Sequence, residues 1–166
     1  MKIAVQLEPL VEPPARVQYT WDPDTDILSA QLDPRASGEG LSGSVGLEGR
    51  DGSWVILDVA AGRINGVEVA VWPDVRKLTE LRLPSEVQDA LVVLSRNKSK
   101  SDVASFEMAT AMIAEADTAE RNFHFRLGKR GSRTVRIAHD VLLDLDEKSQ
   151  IAGLWLLNVP PCPNPA

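Results

Sequence analysis

The chain has 166 residues, 43% of them hydrophobic and 25% charged, which is enough apolar material for a real core in one domain or two closely packed halves. A net charge of -6 disfavours nonspecific nucleic-acid binding by the whole surface, and the single cysteine, Cys162, excludes an internal disulfide. No apolar run reaches the ~18 residues of a membrane span, and the N-terminus lacks the apolar stretch of a signal peptide, so a cytoplasmic protein with no membrane association is expected.

Period-two alternation dominates. Met1–Glu8 reads as a strand. Val17, Tyr19 and Trp21 alternate with Gln18 and Thr20, the turn Asp22-Pro23-Asp24-Thr25-Asp26 follows, and Ile27–Leu32 returns, so a hairpin is predicted. Asp33–Gly43 is rich in Gly, Pro and Ser and reads as a loop. Strands are predicted near Ser44–Leu47, Trp54–Val59 and Ile64–Val71, the last two joined by a Gly-containing turn at Ala60-Ala61-Gly62-Arg63.

The period then changes. From Pro84 to Leu94, residues Val87, Ala90, Leu91 and Leu94 fall on one helical face, with Glu86 and Asp89 in the first turn and Arg96, Lys98 and Lys100 at the end. That polarity suits a helix dipole, and an amphipathic helix is predicted over residues 85–95. Asn97–Ser101 reads as a polar linker. Alternation resumes at Phe106, Met108, Thr110 and Met112, and the proline-rich end reads as a disordered tail.

Two β-rich stretches superimpose. Val55–Val59 lies over Val141–Leu145 at an offset of 86, and Ile64–Val67 over Ile151–Leu154 at 87, with Pro73 meeting Pro160. Asp24-Thr25 matches Asp117-Thr118, and Ile27–Leu32 matches Asn122–Leu127. Gly66 and Gly153 fall at one place inside a strand, where glycine marks a bulge or a close backbone approach. The expected fold is therefore α+β: mostly antiparallel β, two related units of residues 1–73 and 103–160, a linker of residues 74–102 carrying the helix, and a disordered tail of residues 161–166, all in one compact domain.

Trp21-Asp22-Pro23-Asp24-Thr25-Asp26-Ile27-Leu28 followed by Gly62-Arg63-Ile64-Asn65-Gly66-Val67-Glu68 resembles a group of short bacterial proteins of unknown function. Their pattern is an aromatic-Asp turn and then a Gly-x-Ile-x-Gly-Ile-Glu hairpin. The second stretch keeps Gln150-Ile151-Ala152-Gly153-Leu154 but has Trp155 where the pattern has Glu. The resemblance implies no activity.

No cluster amounts to a catalytic signature. The acidic turn at Asp22 lacks the Gly and the bidentate Glu of a calcium loop, so no metal and no cofactor are expected. Asp58 and Asp144 occupy equivalent positions; if they faced each other across a cleft they could do acid–base chemistry. His124 lies on the strand face opposite Phe123 and Phe125, with Arg126, a face read as solvent-exposed. His139 and Asp140 are adjacent and point apart. Arg121, Arg126, Lys129, Arg130, Arg133 and Arg136 form a basic hairpin without an acid, suited to anions or nucleic acid or to pairing with the acidic first unit. Trp155, in a polar position of the first unit, implies that its face is covered by the helix or by a second subunit. A non-enzymatic binding module, self-associating as a homodimer through an exposed β face, is the leading expectation. An enzyme using the two carboxylates and an anion binder are the alternatives.

Overall fold

The computed structural model describes residues 3–10, 12–32, 42–94, 104–107, 112–127 and 131–163. In chain order the strands are β1 (Val5–Glu8), β2 (Val17–Trp21), β3 (Leu28–Leu32), β4 (Gly43–Glu48), β5 (Trp54–Ala60), β6 (Arg63–Val71), β7 (Val75–Leu78), β8 (Gln88–Asp89), β9 (Leu91–Leu94), β10 (Ala104–Glu107), β11 (Ile113–Asp117), β12 (Phe123–Arg126), β13 (Arg133–Ala138), β14 (Val141–Leu145) and β15 (Ile151–Leu156). The described residues contain no helix, so the fold is all-β and not α+β.

The expected helix over residues 85–95 is replaced by β8 and β9. Ala90, Val92 and Leu94 are buried while Leu91 and Val93 are only half-buried, a period of two. Ala90 and Leu94 fit the helical face and the strand face equally, so the apolar pattern could not separate them. Long-range pairing decides: β9 runs antiparallel to β1, with Val5 opposite Leu94 and Glu8 opposite Leu91. The amide of Leu94 also donates to the Gly62 carbonyl at 2.7 Å. A helix this short would be marginal by itself, and Val-Val favours the strand.

Two larger sheets share one core. The first has the order β10-β4-β5-β6-β3-β2 and the second β7-β11-β12-β15-β14-β13-β8. Within them, β2–β6 and β11–β15 have the same strand order, and the register agrees residue by residue. Asp58 lies opposite Gly66 and Asp144 opposite Gly153; Ala30 lies opposite Val67 and Phe125 opposite Leu154. A bulge follows Asp58 in one pair and Asp144 in the other. The turn between β5 and β6 places Ala61 at φ 51° and Gly62 at φ 78°, the two left-handed residues that a tight hairpin with the correct twist requires.

The strand faces follow the pleat. Val55, Leu57 and Val59 of β5 and Val141, Leu143 and Leu145 of β14 belong to one buried cluster with Leu28, Val67, Phe125 and Leu154. Trp72 ties the sheets together. It stacks on Trp21 at 5.7 Å between ring centroids and meets Phe123 at 5.2 Å and Phe125 at 5.8 Å. Two further bonds reinforce this seam: Tyr19 donates to the Leu157 carbonyl at 2.8 Å and Trp21 to the Pro160 carbonyl at 2.8 Å. Burial pushes the Tyr19 phenol above its ordinary range, helped by the charge of Asp140.

The expected linker does not separate two units. β7 pairs in parallel with β11, and β8 with β13, so both add to the second sheet, while β10 pairs in parallel with β4 of the first. Most of the loop at residues 33–43, the polar linker at 97–101 and the tail residues 164–166 lie outside the described residues. Of the expected tail, residues 161–163 are described, and the Cys162 thiol lies 3.7 Å from Asp26 Oδ1.

Two aspartates close equivalent hairpin turns. Asp22 Oδ1 accepts from the amides of Asp24 (2.9 Å) and Thr25 (3.3 Å), and Asp117 Oδ1 from those of Arg121 (2.8 Å) and Asn122 (3.2 Å). These are turn-closing bonds and not a metal loop. The register makes Asp22, rather than Asp24, the counterpart of Asp117. Burial acts to raise the Asp117 pKa, but the two amides and the Asn122 side chain outweigh it and hold the carboxyl below the ordinary value of 3.8. A depressed folded-state pKa contributes stability that is present above the unfolded value and lost as pH falls through the folded one. Acid titration of unfolding free energy should therefore show Asp117→Asn losing less stability than the native chain as pH drops below 3.8; parallel curves would remove this turn from the acid response.

Candidate functional site

The polar cluster with most hydrogen bonds to one carboxylate lies on the outer face of the second sheet. Residues that alternate with the core line it. Across the sheet, Glu115, His124, Trp155, Leu142 and Arg136 stand opposite one another in a row, and Asp89 of β8 ends it. The next row runs Arg126, Gly153, Asp144 and Thr134.

Asp144 is the centre, with 9% of its surface exposed. Thr134 Oγ1 donates to its Oδ1 at 2.8 Å, Trp155 Nε1 lies 3.2 Å from both oxygens, and His124 Nε2 is 2.7 Å from Oδ2. An ionised carboxylate only accepts, so the His124 proton sits on Nε2. The imidazole stacks on the Trp155 indole, with centroids 3.8 Å apart and planes within 10°. Gly153 makes the arrangement possible: a Cβ there would lie 2.6 Å from Asp144 Oδ2. The carboxylate therefore lies over bare backbone, where two rings reach it diagonally.

The first sheet holds a reduced version. Asp58 accepts from Ser44 at 3.1 Å, and a Cβ on Gly66 would lie 3.1 Å from Asp58 Oδ2. Ser44 stands opposite Asp58 as Thr134 stands opposite Asp144. Where the second sheet pairs His124 with Trp155, the first pairs Ser29 with Glu68. The Asp–Gly–hydroxyl arrangement thus belongs to both sheets, and the stacked His–Trp pair to the second alone.

Asp58 and Asp144 do not face each other. Each alternates with core residues and points away from the shared core, on the outer face of its own sheet, so no cleft between the sheets joins them. An imidazole oriented by a carboxylate is one part of a nucleophile-activating set. Asp144 is the hydrogen-bond partner of the His124 ring among the described residues, and no nucleophilic hydroxyl or thiol is bonded to the ring there. Among the described residues, no group of three or more His, Cys, Asp or Glu is placed to hold a metal.

The described members of the basic hairpin have partners within the chain. Arg121 Nε donates to the Val159 carbonyl at 2.6 Å, Arg126 pairs with Glu115 at 2.7 Å, Arg136 pairs with Asp89 at 3.3 Å, and Arg133 bonds Ser149. They tie β12 and β13 to neighbouring segments, mostly of the second sheet. Lys129 and Arg130 lie outside the described residues. Trp155 is covered within the chain, at 5% exposure, and offers no surface to a second subunit. His124 is on the face expected, yet its side chain is only 14% exposed. His139 lies in the turn after β13, where its amide donates to the Ala15 carbonyl and Asp140 binds Asn158 instead.

His124, Thr134 and the diagonal geometry escape a strand-by-strand reading. The signal for them lies in the register: aligning Phe125 with Leu154 puts His124 beside Trp155. Among the described residues, no helix is long and apolar enough to cross a membrane. Compared with models of known protein families and with curated proteins, the chain matches none.

The two aspartates should differ sharply on removal. Asp144→Ala strands three donors, Trp155 buried and Thr134 and His124 half-buried, and should cost about 2 kcal/mol, the desolvation of unsatisfied polar groups. Asp58→Ala, at an exposed site, should stay within about 0.5 kcal/mol. Urea unfolding of both variants checks this; equal losses would mean that the cluster does not support the sheet.

Proposed function

We propose that this chain is a non-enzymatic interaction module that self-associates through the outer face of its first sheet. The observation that carries the reading is a cross-strand apolar pair on that face. Trp54 and Val71 stand opposite each other on β5 and β6 and are 43% and 47% exposed. A bulge between Trp54 and Val55 brings Val71 outward and sends Trp72 into the seam. The Trp54 indole lies over Gly46, its Nε1 only 2.8 Å from where a Cβ of Gly46 would be. A large aromatic held against the sheet, with no side chain beneath it, suits a self-complementary contact at low entropic cost.

The rest of the geometry supports binding over catalysis. The two aspartates look outward from different sheets, and Asp144 is fully engaged. The described arginines are self-paired, which leaves an anion-binding role without a free described cation in that hairpin. The shared strand order and register of β2–β6 and β11–β15 support an internal duplication as the origin of the fold. A cytoplasmic location remains part of this proposal.

Light scattering on the size-exclusion peak tests it. The native chain should run as a dimer, and Trp54→Glu as a folded monomer. A native monomer at every concentration, or a dimer unaffected by Trp54→Glu, would contradict the assignment.

A further inference from the structure

We infer that residues 79–87 form a releasable strap over the outer face of the second sheet, and that the face beneath it is a docking site for an extended, proline-bearing segment of a partner protein. This rests on the reading of the chain as an interaction module, but not on Trp54.

β7 and β8 lie at opposite edges of the seven-stranded sheet. Six strand spacings of about 4.8 Å separate them, roughly 29 Å. Drawn out as a polyproline-II helix at about 3.1 Å per residue, the chain from Leu78 to Gln88 spans about 31 Å. The connection is therefore nearly taut. β7 is parallel to β11 and β8 to β13, so both run the same way, and the chain leaving β7 must come back across the sheet to enter β8. The inner face is filled by the other sheet, so the crossing runs over the outer one. Leu78 sits level with Asp117 and Gln88 level with Ala114, which makes the path a shallow diagonal. Its midpoint falls on β15, the middle strand, where the outward side chain is Trp155.

Burial agrees with this path. Leu78, Leu81, Pro84 and Val87 are half-buried, and the two residues after each are exposed, the three-residue period of a polyproline-II helix lying on a surface. Trp155 and Leu142 are 5% and 2% exposed although they face outward, and neither belongs to the core cluster that the sheets share. Ile113, outward on the same sheet but off the diagonal, is 50% exposed. The strap thus lays Leu81 and Pro84 over Trp155 and Leu142, as aromatic-lined grooves take proline-rich segments.

The strap is held loosely. From Thr79 to Asp89 no residue is buried, and β8 is two residues long. The ion pairs at its ends, Lys77 with Glu120 and Arg136 with Asp89, are solvent-accessible and so of little worth. In place, the strap is autoinhibitory. Lifted, it uncovers an apolar floor for a partner segment with an apolar residue or proline at every third position.

The probe is a synthetic peptide with the sequence of residues 78–88, titrated into the full chain while the indole N–H resonances are followed by NMR. Leu81→Ser with Pro84→Ser should loosen the strap, shift the Trp155 resonance and raise peptide affinity about tenfold, since a closed strap leaves the face open only part of the time. Peptide binding should return that resonance to its native position. Pro84→Ser alone should act in the same direction to a smaller extent and replaces the double variant if that one does not fold. Leu83→Ser, on the exposed side, should do neither. Equal affinity of native and loosened chains, a Trp155 resonance that the strap substitutions leave in place, or equal binding of a peptide with serine at both positions overturns the proposal. In the Trp54→Glu background the loosened chain should stay monomeric and bind as before, so a failure of the first-sheet contact leaves this test intact. A dimer there would put a second copy's strap on the face and contradict the proposal.

Discussion

Each large sheet is apolar on one face, and among the described residues the other sheet covers that face, with β1 and β9 adding side chains to the same core. This shared core is the constraint on which the rest depends. Each five-strand set alone would leave a row such as Val55, Leu57, Val69 or Phe125, Leu143, Leu154 in water. Facing each other, they bury these side chains together, and Trp72 bridges the two at their seam. The alternation that sends Leu57 and Leu143 inward must send Asp58 and Asp144 outward, in opposite directions. A catalytic pair between the sheets is thereby ruled out by the same pleat that builds the core.

The outer faces then decide what each half can do. In the second sheet the outward row of Glu115, His124, Trp155, Leu142 and Arg136 is closed by stacking, ion pairs and the Asp144 hub. In the first, the matching row is Thr20, Ser29, Glu68, Ile56 and Gly46, with Trp54 lying over Gly46 and half open to solvent. The sharpest contrast between the halves is which outer face its own side chains close, and this is why the proposed interaction surface is assigned to the first sheet.

Much of this is legible in the sequence. The hairpins at Val17–Leu32 and Trp54–Val71 follow from strict alternation bounded by turn residues, and Gly66 and Gly153, read as a bulge or a close backbone approach, pair with Asp58 and Asp144 beside a register shift. What escaped was set by distant partners. Residues 85–95 carry acids first and bases last, as a helix would, and Ala90 and Leu94 suit both periods; only pairing with β1 resolves them. The short parallel strands β7 and β8 have no local signature, because their partners lie far along the chain. Arg126 and Arg136 belong to a basic hairpin read as an anion site or as pairing with the acidic first unit, and their partners, Glu115 and Asp89, sit instead on other strands of the second sheet. Trp155, expected under the helix or a second subunit, is stacked instead on the neighbouring His124, one strand across.

A double-mutant cycle across the seam tests the shared core most directly. Trp72→Ala and Phe123→Ala remove partners from opposite sheets. With one core their unfolding free energies should couple by about 1 kcal/mol, the worth of an aromatic pair beyond simple burial. Strictly additive losses, or two separate unfolding transitions, would contradict the account.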